Sequence, residues 1–214
     1  MIRVACYIDG FNFYHALDDM SRATRGANNY LKWVCLHSLM TIFTDPAVHA
    51  VVSVKYFSAY ATWKPGSYAR HILYVKALRN TGVEVVLGRF KEKEIYCKNC
   101  GTMFKGHEEK ESDVNLATHL TADAHEDRFD VAFVVSRDSD LAGPIRAVRQ
   151  RFPEKRIKVI APPLRRHSKE LGALAHMRAE VKREHVLKCL LPEIILDKTG
   201  AVVCTRPPEY APPT

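Results

Sequence analysis

Apolar, β-branched runs recur along the chain at Ile2 to Ile8, Val48 to Phe57, Val83 to Leu87, Val131 to Val135 and Ile157 to Ile160. Each has the length and composition of a strand. The first, third and fourth show little polar alternation, the pattern of strands covered by helices on both faces, and so predict a parallel sheet. Between the runs, apolar residues return at helical spacing over Leu31 to Phe43, Tyr68 to Asn80, Asp113 to Ala124 and Leu141 to Phe152. In the last of these, Leu141, Ile145, Val148 and Phe152 share one face, and Gly143 with Pro144 places the start of regular helix there. Alternating strand and helix predict an α/β protein, a three-layer α/β/α sandwich around a mainly parallel sheet of about five strands. Ligands of such sheets bind beyond the carboxyl ends of the strands.

Two segments depart from the alternation. Gly88 to His107 is long for a connection, rich in Lys and Glu, and holds Cys97 and Cys100, so it reads as an insertion. After Pro192 an apolar triplet, a turn from Asp197 to Gly200 and a second apolar triplet predict a hairpin, followed by a flexible tail with Pro207, Pro208, Pro212 and Pro213. The expected division is one domain over 1–192 with 88–107 inserted, then a hairpin and tail over 193–214. Neither a signal peptide nor a membrane span is expected, because the opening apolar stretch ends at Asp9. A cytoplasmic protein with reduced cysteines is the resulting expectation, with Cys6, Cys35, Cys189 and Cys204 as packing residues.

The carboxyl ends of two strands carry acids. The first run ends in Asp9, Gly10, Phe11 and Asn12, and the fourth in Ser136, Arg137, Asp138, Ser139 and Asp140. Asp113 shares a helical stripe with Leu116, Ala117, Leu120 and Ala124, the face that should meet the sheet. Each acid has an ordinary alternative: Asp9 with Gly10 as a turn, Asp113 as a first-turn acid with Ser112 as cap, Asp138 to Asp140 as a helix start. Their joint position at one end of one sheet favours a site for a hard cation, Mg²⁺ or Mn²⁺.

The runs YIDGFNFY, EEKESDVNLATHLTADA and VVSRDSDLAGPI resemble the three signature blocks of NYN domains, in order and at compatible spacing, over approximately Ile2 to Pro192. The resemblance implies a PIN-like, Rossmann-like fold and a metal-dependent ribonuclease-type site with Asp9, Asp113, Asp138 and Asp140 as its acids and Asn12 beside them. One position departs: the family block usually has Gly where this chain has Arg137, so either the local backbone differs or the guanidinium reaches a phosphate.

In 214 residues, 32 Lys and Arg stand against 24 Asp and Glu, a net charge of +8 that suits a polyanionic partner. Arg146, Arg149 and Arg151 follow the last acidic block, and Arg165, Arg166, His167 and Lys169 follow the last core run. With Arg137, these could hold phosphates or simply form solvated surface. Phe11, Phe13 and Tyr14 offer a stacking surface or packing. Cys97 and Cys100 resemble a zinc knuckle with His107 as nearest third ligand, against a metal-free hairpin. The leading expectation is a metal-dependent nuclease acting on nucleic acid, RNA before DNA, with no membrane partner and with a homo-oligomer left open. A non-catalytic nucleic-acid or nucleotide-binding module is the alternative. A Rossmann-type small-molecule enzyme is disfavoured because no GxGxxG follows the first run.

Overall fold

In the computed structural model, which describes residues 1–166 and 168–213, the first apolar run forms β1 (Ile2–Asp9) and passes without a loop into α1 (Gly10–Arg22). His167 lies outside the described residues. Gly10 permits the abrupt change of direction. A Cβ there would sit 2.5 Å from the Phe57 carbonyl oxygen and 2.7 Å from the Tyr56 ring, so only glycine lets α1 start against the end of the next strand.

The chain continues through α2 (Leu36–Thr41), β2 (His49–Ser58), α3 (Pro65–Asn80) and β3 (Glu84–Leu87). A separate antiparallel ribbon follows, β4 (Arg89–Tyr96) and β5 (Met103–Lys110). Then come α4 (Ser112–His125), β6 (Val131–Val135), α5 (Ala142–Arg151), β7 (Arg156–Ala161), α6 (Lys169–Leu174), β8 (Met177–Glu180), α7 (Arg183–Lys188) and the hairpin β9 (Ile194–Leu196) with β10 (Val202–Thr205). Six strands form one parallel sheet in the order β3-β2-β1-β6-β7-β8. The chain leaves β1 on one side and returns on its other side as β6. The sheet therefore has a switch point between β1 and β6, and a crevice opens beyond their carboxyl ends.

Both central strands are buried on both faces, as their unalternating sequences require. Val4, Cys6 and Ile8 pack with Phe13, Leu17 and Met20 of α1 and with Leu36, Leu39 and Met40 of α2. Ala5 and Tyr7 face the other way, against Leu116 and Leu120 of α4 and Ile145 and Val148 of α5. The three-layer sandwich follows from this alternation.

The structure departs from the sequence pattern in several places, among them α1, a helix outside the expected stretches, and the ribbon formed by the 88–107 insertion and the residues up to Lys110. The sheet gains a sixth strand, β8, an edge strand of sequence MRAE whose largely exposed residues give no apolar run. The Val83 to Leu87 run forms the opposite edge and is only partly buried, not covered on both faces. The helix expected over Leu31 to Phe43 is broken into a 3₁₀ turn (Asn29–Lys32) and α2. Between them Val34 bridges Leu190, Cys35 N–H donates to Cys189 O at 2.7 Å and Leu191 N–H donates to Trp33 O at 2.9 Å, so strand-like pairing takes the backbone that a helix would use. Finally, the end of the chain is docked as far as Tyr210, which is 7% exposed and packs with Trp33 and Ala77.

One polar contact fixes the layer above the sheet. Tyr7 of β1 and Lys55 of β2 are register partners, and both reach Asp123 of α4. The Tyr7 hydroxyl donates to its Oδ2 at 2.7 Å and the Lys55 ammonium sits at 2.7 Å from the same oxygen, with His119 Nδ1 at 3.2 Å from Lys55 Nζ. The Lys55 and Asp123 side chains are each 6% exposed. Removing one ion of such a pair strands the other. Lys55→Ala should lower unfolding free energy by about 3–5 kcal/mol in a denaturant titration. A loss below about 1 kcal/mol would show that solvent screens the pair.

Candidate active site

Asp9 closes β1 and caps α1. Its side chain is almost fully buried and fully engaged: Oδ1 accepts the Asn12 backbone N–H at 3.0 Å, and Oδ2 accepts Asn12 Nδ2 at 2.6 Å and the Ser136 hydroxyl at 2.7 Å. Ser136 follows β6 directly, so this bond ties the ends of β1 and β6 across the switch point. The same hydroxyl oxygen accepts the Asp138 N–H at 3.0 Å, and Asp138 Oδ1 in turn accepts the Asp140 N–H at 3.0 Å. Burial raises the Asp9 pKa, the hydrogen bonds from Asn12 and Ser136 oppose the rise, and Asp138 adds to it.

Asp113 arrives from the other direction, in the first turn of α4. Ser112 does not cap that helix. Glu111, at φ 81°, occupies the cap position, and the Ser112 N–H is taken by Glu109 Oε1 at 2.9 Å. Desolvation, then the charges of Asp9, Asp138, Glu109 and Asp140, push the Asp113 carboxyl up to about 6. Glu109 is a member of this acidic group that sequence reasoning missed. Its one available signal was the EEK run before the helix.

As placed, no three His, Cys, Asp or Glu side chains among the described residues stand close enough together to hold one ion. The acids interact across the crevice without meeting at a point. Their donor chemistry nevertheless suits a hard divalent cation: every group is a carboxylate, Asp113 and Asp138 are partly exposed, and Asp140 is exposed. A cation held partly through water would relieve the repulsion recorded in Asp113.

The basic residues are dispersed. Arg137 is exposed beside Asp138 and has no positive φ, so the backbone accommodates the departure from glycine without a left-handed residue. Arg146 and Lys169 are exposed on α5 and α6, whereas Arg149 donates to Leu174 O at 2.7 Å. Arg165 is tied to Asp19 of α1. Arg166 borders a shallow cleft of about 340 Å³ with Arg165, Lys182 and Arg183.

Next to Gly10 lies a cavity of about 540 Å³ between α1, α3 and the β4–β5 ribbon, and Phe11, Phe13 and Tyr14, read from the sequence as a stacking surface or packing, form one side of it. Phe11, Tyr14, Tyr56, Trp63, Tyr74, Phe90 and Tyr210 supply aromatic walls, and Glu109 borders it. Phe90 meets Phe11 and Trp63 edge to face at 5.6 and 4.5 Å. His71 Nε2 is buried there with no hydrogen-bond partner among the described residues, and burial lowers its pKa to about 4. His107 belongs to this wall. It stacks on Trp63 with ring centroids 3.6 Å apart, and it pairs with Glu92 while Met103 pairs with Tyr96. Four residues of strand, about 13 Å, thus separate it from the cysteines, so it is not their third ligand.

Comparison with known proteins agrees with the fold. The NYN domain model matches residues 3–177. The chain is 27% identical over 236 aligned positions to 6-hydroxy-3-succinoylpyridine 3-monooxygenase HspA of Pseudomonas putida, covering 91% of this chain and 72% of that protein. A crystal structure of a protein of unknown function from Vibrio parahaemolyticus superposes with a TM-score of 0.57 at 22% identity, covering 89% of this chain and 96% of that one. That last likeness concerns the fold alone.

The electrostatics of Asp113 give a measurable sign. A carboxyl whose native pKa of about 6 exceeds its ordinary 3.8 favours the folded state while protonated and loses that contribution as pH rises through about 6. In metal-free protein at about pH 7.5, Asp113→Asn should therefore melt above wild type, by on the order of 1 kcal/mol once solvent screening is allowed for. The gap should close towards about pH 4. A lower melting temperature for the variant at both pH values would mark Asp113 as an ordinary first-turn acid.

Proposed function

The chain belongs to the NYN domain family, and we propose that it hydrolyses phosphodiester bonds of nucleic acid, RNA first, at the crevice between β1 and β6. The observation that carries this reading is the Ser136 to Asp9 hydrogen bond, which sets the acids after β1 and β6 at one mouth while α4 delivers Asp113 to it. Family membership supports it, because the family includes nucleases. Among the described residues no helix is long and apolar enough to cross a membrane.

Asp9, Asp113 and Asp138 would hold Mg²⁺ or Mn²⁺, directly or through water, with Asp140 beside them. Such an ion, when bound, supplies charge neutralisation and an acidified water. The protein's own contribution is orientation. Asn12 and Ser136 lock Asp9 in one rotamer. Arg137, Arg146, Arg166 and Lys169 are the exposed cations available to phosphates.

A second reading has its own observation. The Pseudomonas relative is named for oxygenation of a hydroxypyridine, and the aromatic cavity has the size and lining of a small-molecule site. Under this reading the chain takes one planar heteroaromatic ring, with the unpartnered His71 Nε2 as its polar anchor.

Labelled single-stranded RNA with Mn²⁺ separates these readings. Cleavage by wild type should fall by about two orders of magnitude or more in Asp138→Asn, with RNA retention preserved, and by about 10–100-fold in Asn12→Ala. Arg166→Ala should weaken retention and flatten its salt dependence. Binding without cleavage would leave a nucleic-acid-binding module. Trp63 lines the cavity and Trp33 is 1% exposed, so quenching of tryptophan fluorescence by a hydroxypyridine reports the cavity. Saturable quenching lost in His71→Ala, together with intact RNA, would favour the second reading.

A further inference from the structure

The β4–β5 ribbon pairs only with itself, and its tip is built for something that one chain does not complete. Tyr96 and Met103 form its last pair, and Cys97 to Thr102 close the turn. Cys97 N–H donates to Thr102 O at 2.9 Å, Gly101 N–H donates to Cys97 O at 2.9 Å, and Gly101 takes φ +69°, which a side chain would strain. Two thiols three positions apart on a turn closed by a left-handed glycine are one half of a tetrahedral thiolate site. The other half is absent among the described residues. No third ligand joins the cysteines among the described residues, and His107 is occupied against Trp63.

The surroundings point to what completes it. Ile95, Tyr96, Met103 and Phe104 flank the cysteines and are 38% to 58% exposed, although each is large and apolar. Lys98, between the two cysteines, is exposed and has no ion-pair partner among the described residues. We propose that two copies of this chain meet tip to tip, each CxxC giving two thiolates to one shared Zn²⁺, with these apolar side chains closing around it. The ligand count supports this. Zn²⁺ takes four ligands, each copy has two, and the two-fold arrangement that supplies four is the commonest protein symmetry. The charge count agrees: one Zn²⁺ and four thiolates carry −2, and the Lys98 of each copy returns +1. Four thiol protons leave to solvent when the ion binds, and nothing is oxidised. Soft thiolates select zinc over the hard cations suited to the carboxylate crevice. The inference does not depend on the reading of that crevice.

Zinc content and solution mass of the full chain, purified under reducing conditions and titrated with Zn²⁺, test the proposal. Zinc should saturate at about half an equivalent per chain, with a dimer that a chelator returns to monomer. Cys97→Ser and Cys100→Ser should each lose both zinc and dimer without lowering the melting temperature of the chelated protein. Phe104→Glu, which keeps the thiols, should weaken dimerisation by about tenfold or more. In place of zinc, Co²⁺ should give a four-thiolate absorption spectrum that saturates at the same half equivalent. One equivalent in a monomer, no zinc uptake by the reduced wild type, or a dimer that survives both chelation and Cys97→Ser would each overturn the proposal. So would a Cys97–Cys100 disulfide that resists reductant, found by thiol titration.

Discussion

Asp123 sits ten residues after Asp113 on the same helix, about 15 Å away along its axis. Its carboxylate is held simultaneously by the Tyr7 hydroxyl from β1 and the Lys55 ammonium from β2. A buried lysine is tolerable only with such a partner, and a buried aspartate only with such donors. The pair therefore constrains where α4 lies across two strands, to the precision of hydrogen bonds. Apolar packing of Leu116 and Leu120 alone would resist sliding far less, because dispersion is not directional. The first turn of α4, and Asp113 with it, inherits its position at the sheet edge from this contact.

The acidic crevice then contains two kinds of carboxylate. Asp9 is rigid: buried, triply hydrogen-bonded, and tied to both α1 and the end of β6. Asp113, Asp138 and Asp140 are more open and adaptable. One fixed carboxylate among more open ones would suit the hydrated cation and phosphate of the proposed reaction, since complete rigidity would demand ideal geometry before either arrived. Burial of Asp113, with the neighbouring charges adding to it, raises its pKa, a cost that the fold tolerates at this edge.

The parts legible in the sequence were those set by local periodicity. Central strands and the helices over Pro65–Asn80, Ser112–His125 and Ala142–Arg151 announce themselves because a residue's burial there follows its position on a strand or helix face. The acids after β1 and β6 were legible for a related reason: strand ends in parallel sheets are where chemistry collects, so an Asp following an apolar run draws attention. Apart from α1, an amphipathic helix that the expected helical stretches left out, what failed depended on partners distant in sequence. The break at Trp33 to Cys35 arises from pairing with Cys189 to Leu191. β8 is an edge strand without an apolar run, and Tyr210 is ordered by the cluster of Trp33 and Ala77 that it covers. His107 was read by its nearness in sequence to the cysteines, and the extended ribbon carries it away from them onto Trp63.

Of the aromatic cavity only the Phe11, Phe13 and Tyr14 side was legible, since its other walls come from α3, the ribbon and the chain end. It is nonetheless not independent of the crevice. Gly10 borders it directly after Asp9, and Glu109 both lines it and raises the pKa of Asp113. A planar ligand that displaced water from this wall would lower the local dielectric around Glu109 and strengthen its repulsion of Asp113. An anionic group on that ligand would act in the same direction, and a cation in the crevice would oppose both. The two features are thus electrically coupled through one side chain. Whichever of them were filled first would change the protonation that the other meets.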